Sequence, residues 1–80
     1  MSICNNKSMR DERTKIIGKN IKIERKNQNL TQLKLSIMAN ISVESVIEIE
    51  QGRQTPSALI LLDIAKALNV SVIDLLKDLV

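Results

Sequence analysis

The sequence has no histidine, tryptophan, tyrosine or phenylalanine, and it holds one cysteine, Cys4, and two glycines, Gly18 and Gly52. Each absence excludes a class of function. Without histidine the commonest general base is missing. One cysteine and no histidine build neither a zinc site nor an internal disulfide, so no metal and no cofactor are expected. Two glycines 34 positions apart cannot form a nucleotide-cradling loop, and no pair of carboxylates marks a cleft. An enzyme is therefore not expected. The lack of aromatic rings argues against a platform that stacks unpaired bases. No apolar run reaches membrane length, and the N-terminus is polar after Ile3, unlike a secretory leader. A cytoplasmic protein without a membrane partner is the expectation.

What remains is an aliphatic chain. It has 80 residues, 44% hydrophobic and 26% charged, which is enough for one small core. The net charge of +3 is unevenly spread. Residues 1–27 hold eight Lys and Arg against three Asp and Glu, a balance of +5, whereas residues 28–80 hold four against six, a balance of −2. A basic first third points to an anionic partner, of which nucleic acid is the usual one, with a solubilising tail as the bland alternative.

Periodicity and punctuation give five short helices and no strand. Residues 1–13 are expected as a flexible basic arm and residues 14–80 as the folded domain. The first helix is placed from about Thr14 to Asn27, with Ile17 and Ile21 on its inner stripe. Gly18 weakens it slightly. Thr31 caps a second helix over Gln32 to Ala39, and Asn40 and Ile41 turn into the next. Ser42 caps a third helix from Val43 to Gln51, which Gly52 stops. Ser57 caps a fourth from Ala58 to Leu68, with Ala58, Leu61, Leu62, Ala65 and Leu68 as its buried stripe. Ser71 and Asp74 form a capping box for a fifth, Val72 to about Leu79. The surplus apolar residues there, Ile73, Leu76 and Val80, point to a dimer surface.

The order of short helix, tight turn and short helix over residues 31–52 is the helix-turn-helix arrangement. The stretches IGKNIKIERK, LTQLKLSIMANIS, VIEIEQG and PSALILLDIAKALNVSVIDLL resemble the Cro and phage-repressor type helix-turn-helix domains, the XRE family, over about residues 16–77. The resemblance implies a compact all-α domain of five helices, usually dimeric, that reads double-stranded DNA in the major groove with its third helix. It further implies that Arg25 and Glu50 form an internal ion pair. The DNA-facing positions it implies are Gln32, Val43, Glu44, Ser45, Ile47, Glu48, Gln51 and Arg53.

Two departures from the family pattern stand out. The reading face carries Glu44 and Glu48 and no Lys or Arg. A glutamate can accept from cytosine N4, and Val43 and Ile47 can touch thymine methyls, provided cations elsewhere meet the phosphates. Leu33 and Ile37 occupy second-helix positions that are usually polar. They are expected to pack on neighbouring helices or the arm; the alternative is an exposed patch that serves a protein partner. A sequence-specific transcriptional regulator is thus expected, with a protein-interaction or antitoxin-like module on the same fold as the other reading. The chain ends soon after the fifth helix, so regulation is expected through concentration, a partner or dimerisation.

Overall fold

The computed structural model describes the backbone of residues 2–79 and the side chains of residues 12–79. Among these residues five helices follow one another: α1 (Ser2–Asn27), α2 (Gln32–Ala39), α3 (Val43–Glu50), α4 (Ala58–Leu68) and α5 (Val72–Leu75). The domain is all-α, as the periodicity predicts.

Local chemistry sets most of the boundaries. Thr31, Ser42, Ser57 and Ser71 each sit in extended backbone, and each side-chain oxygen accepts a backbone N–H three residues on. Asp74 completes the capping box by accepting from the Ser71 N–H at 3.1 Å. At the other ends Asn29, Asn40 and Asn69 adopt left-handed backbone with φ of 58–59°, a conformation asparagine tolerates better than other residues with a Cβ. Gly52, at φ 77°, does the same after α3.

Three expectations need correction. α1 does not begin at Thr14 but runs back to Ser2, so the expected arm, residues 1–13, belongs to the helix from Ser2 onward. Residues 2–13 contain no glycine or proline to stop a helix. Thr14 lies within the helix, and its hydroxyl bonds the Thr55 hydroxyl at 2.6 Å. α5 stops at Leu75 instead of Leu79. The Asn20 amide donates to the carbonyls of Leu75 and Lys77, each at 3.0 Å, and Asp78 turns left-handed at φ 75°. Leu79 then donates to Leu76 O, not to the Leu75 carbonyl that another α-turn would require. In α4 the buried residues are Leu61, Ile64, Ala65 and Leu68, while Ala58 and Leu62 are exposed.

The core gathers Ile17 and Ile21 of α1, Leu35 and Ala39 of α2, Val46 and Ile49 of α3, the four α4 residues and Leu75. α3 packs against both α1 and α2, and this fixes which of its faces is turned outward.

Candidate nucleic-acid interface

α2 and α3 are joined by residues 40–42 alone. The turn closes because Asn40 goes left-handed and the Ile41 N–H donates to Ser36 O at 3.0 Å. In α3, Val46 and Ile49 are buried, and their burial turns the opposite side of the helix away from the core. That outer side holds Glu44, exposed, with Ile47 and Glu48 half-buried, while the half-buried Val43 and Ser45 lie on its two flanks. Ser45 is held at the helix start by the Ser42 hydroxyl, which donates to Ser45 Oγ at 2.9 Å. Gln51 is the exposed C-cap, and Arg53 follows Gly52 in the loop, also exposed. Of the eight candidate DNA-facing residues five lie on α3, and Gln51 and Arg53 follow its end.

The eighth, Gln32, lies at the start of α2 and is only half-buried. Its amide donates to Glu50 Oε1 at 3.1 Å, so it is oriented by the interior of the domain. Glu50 is the centre of this cluster. Its carboxylate accepts from Arg25 Nε at 2.7 Å and from Arg25 Nη2 at 3.0 Å. The remaining Arg25 nitrogen, Nη1, donates to Leu30 O at 2.7 Å. The two side chains are only 8% and 2% exposed. A forked guanidinium meeting both carboxylate oxygens is the strong form of such a pair. The cluster ties α1 to α3 and to the loop that leads into α2. The ion pair implied by the family resemblance is present, and Glu50 is not available to DNA.

Of the two outward glutamates, Glu48 has a counter-charge nearby. Arg53 Nη1 lies 3.8 Å from Glu48 Oε2, and the Arg53 N–H donates to Glu48 O at 2.9 Å. The left-handed Gly52 folds residue 53 back onto the end of α3 and so brings the pair together. Both side chains remain well exposed, so the pair contributes little to stability. Its effect is on charge: Arg53 offsets Glu48 on the outer side of α3. Glu44 has no ionic partner among the described residues.

The apolar departures are resolved differently from expectation. Leu33 and Ile37 are not covered by a neighbouring element; they are 58% and 66% exposed, and Met38 beside them is exposed as well. The buried side of α2 is already filled by Leu35, Ser36 and Ala39, which leaves positions 33 and 37 outside it. Among the residues expected at a dimer surface, Ile73 is 71% exposed. Leu76 is instead half-buried and packed on the protein's own core, on the same side of the chain as Val72 and Leu75. Val80 lies outside the described residues. Leu59, not singled out from the sequence, is the most exposed large hydrophobic residue among the described residues. Also missed was Gln28, whose amide fastens the end of α1 to Leu68 O at 2.6 Å. A polar residue after a helix gives no sequence signal of such a bond.

Residues 21–75 match the helix-turn-helix family HTH_3. The chain is 31% identical over 61 residues, covering 76% of this chain and 79% of the relative, to the uncharacterised HTH-type transcriptional regulator y4dJ of Sinorhizobium fredii (strain NBRC 101917 / NGR234). Among solved structures it is similar to the restriction-modification controller protein C.AhdI from Aeromonas hydrophila. There the TM-score is 0.76 at 22% identity, over 78% of this chain and 94% of that one, a likeness of fold. It is also similar to the clp gene regulator ClgR from Corynebacterium glutamicum, with a TM-score of 0.76 at 27% identity, over 79% of this chain and 67% of that one. With the competence regulator ComR from Streptococcus vestibularis the TM-score is 0.74 at 39% identity, over 79% of this chain but 21% of that one. The tight turn, the buried Arg25–Glu50 pair, the outward third helix and these matches agree: this chain belongs to the Cro and phage-repressor type of helix-turn-helix proteins.

Proposed function

We infer that this protein is a transcriptional regulator that binds double-stranded DNA and reads the major groove with the outer face of α3. The observation that carries the reading is the α2–turn–α3 unit, locked to α1 through Arg25 and Glu50, with Glu44, Ile47 and Glu48 of α3 turned away from the core. A helix fixed against the domain with one side turned outward is what entry into a groove about 12 Å wide requires. In this reading Glu48 and Glu44 accept from cytosine N4, and Val43 and Ile47 meet thymine methyls. Ser45 serves either kind of base edge. Arg53 and Gln51 take phosphates. Gln32 keeps one amide hydrogen beyond the one it gives Glu50, and that hydrogen suits a phosphate at the start of α2. The setting is cytoplasmic.

Selection of bound duplexes from a random library at physiological salt tests the reading. The expected result is an enriched palindrome with half-sites one helical turn apart, roughly 34 Å. In the enriched site, Glu48→Gln is expected to lower the preference for cytosine at one position by about tenfold, since one base-edge contact discriminates by roughly 1–3 kcal/mol. Unchanged base preference in that variant removes Glu48 from the reading set.

We further propose that the protein acts as a dimer through an apolar surface that includes the exposed Ile73. Sedimentation is expected to show a dimer for the native chain and a monomer for Ile73→Asp. A native monomer at high micromolar concentration sinks the proposal.

One observation favours a second reading, a protein-interaction or antitoxin-like module on the same fold. Leu33, Ile37 and Met38 form exposed apolar surface on α2, in the same helix-turn-helix unit as the acidic side of α3. Charge reversal separates the two. If Glu44→Lys with Glu48→Lys raises DNA binding without altering sequence preference, these carboxylates do not read bases and the face belongs to a protein.

A further inference from the structure

We propose that the exposed side of α1 is a second DNA-contact surface, a lysine stripe that takes the phosphate backbone beside the site read by α3. It rests on the DNA-binding reading above.

Lys15, Lys19, Lys22 and Lys26 recur at intervals of four, three and four residues. At about 100° per residue they fall within roughly 60° of one another around the helix, on a single face. All four are exposed. Among the described residues none has an acidic partner within ion-pair distance. Glu24 is offset from this face, being two residues from both Lys22 and Lys26, and Glu12 marks the stripe's near end. At about 1.5 Å of rise per residue the stripe is roughly 16 Å long. Duplex DNA presents a negative charge every 1.7 Å or so of its axis, so a row of this length faces several phosphates.

Position joins the stripe to the reading helix. Lys15 packs against Gly52, where an added Cβ would lie 2.5 Å from Lys15 Cγ. Gly52 stands between Gln51 and Arg53, at the exit of α3. The stripe therefore begins beside Arg53 and runs away along α1. The need for it comes from α3 itself, which brings Glu44 and Glu48 toward DNA and no cation. The other described lysines, Lys34, Lys66 and Lys77, stand singly on α2, on α4 and after α5. The stripe is the row of cations able to offset the carboxylates, and its contacts carry no base preference. A face kept only for solubility has the same composition, but it does not release counterions on DNA binding.

The test is the salt dependence of affinity for two probes, the duplex enriched by selection and a random-sequence duplex. The native chain is compared with Lys15→Gln/Lys19→Gln/Lys22→Gln/Lys26→Gln and with the control Lys66→Gln/Lys77→Gln. Each lysine that meets a phosphate adds about 0.9 to the slope of log affinity against log salt, so the fourfold variant should lose roughly 3 to 4 units of slope on both probes. The control should lose under about 0.5. Circular dichroism should be the same for all three, because the lysines lie outside the core. An unchanged slope in the fourfold variant overturns the proposal, as does an equal loss per lysine in the control. An unchanged slope combined with lost binding to polyglutamate overturns it in favour of an acidic protein partner. If no sequence is enriched but the slope on random duplex falls, base reading by α3 fails and the stripe stands. If a site is enriched and the slope holds, reading stands and the stripe fails.

Discussion

Glu50→Gln is expected to lower the unfolding free energy by about 3 kcal/mol, seen as a shift of the denaturant midpoint at unchanged slope. Removing one member of a buried ion pair leaves the other charged and unpaired, which is where most of the loss arises. Here Arg25 is 8% exposed, and two of its three nitrogens donate to Glu50. A glutamine keeps one acceptor oxygen and turns an NH2 group toward either the guanidinium or the Gln32 amide, both of which are donors. The third Arg25 bond, to Leu30 O, survives but supplies no counter-charge. The double variant Arg25→Met/Glu50→Leu should recover part of the loss, because it buries no charge. A midpoint for Glu50→Gln equal to that of the native chain sinks the assignment of Glu50 as scaffold.

That ion pair was accessible through family resemblance and not through spacing, since 25 positions separate its partners. What the residues themselves disclosed was local. Thr31, Ser42, Ser57 and Ser71 announce helix starts because a hydroxyl directly ahead of an apolar run has backbone N–H groups to satisfy. Asn40 and Asn69 announce stops because they tolerate left-handed backbone. These signals place α2 to the residue and α3 to within one, since Gln51 is the C-cap and not the last residue of the helix, and with them the outward face of α3.

Decisions taken between helices were not legible. α4 reads ALILLDIAKAL, apolar almost all round, so two stripes fit its periodicity equally and the packing selects Ile64 over Leu62. α5 is cut short by Asn20, 55 positions away. The start of α1 is not marked by apolar periodicity, because residues 2–13 continue the helix without it. In the candidate site the sequence located Glu48 and Arg53 but not their pairing, which depends on the left-handed turn at Gly52. It also sent the Gln32 amide outward, although Glu50 holds it. Leu33 and Ile37 were expected under cover because hydrophobic side chains usually are, yet the buried side of α2 had no room for them.

Gly18 separates most clearly what a sequence implies from what a contact requires. Within a helix, glycine is the poorer choice by about 1 kcal/mol relative to alanine, so propensity alone favours Gly18→Ala. The structure reverses the sign. A methyl group on Gly18 would overlap the Ile49 carbonyl oxygen and lie 3.1 Å from that of Glu50. These are backbone atoms at the end of α3, and they cannot rotate aside as a side-chain tip can. To admit the methyl, α1 must move off α3. That movement loosens Ile17 and Ile21 from Val46 and Ile49 in the core and stretches the Arg25–Glu50 fork. We expect Gly18→Ala to be destabilised by about 3 kcal/mol, at the upper end for overpacking, with the helical gain already set against it. Affinity for duplex DNA should fall with it at temperatures where the variant begins to unfold, and recover on cooling. Thermal unfolding decides the matter. A variant as stable as the native chain, or more stable by the amount propensity predicts, shows that α1 and α3 do not approach as closely as the geometry requires. The close approach would then be removed as the reason for glycine at position 18.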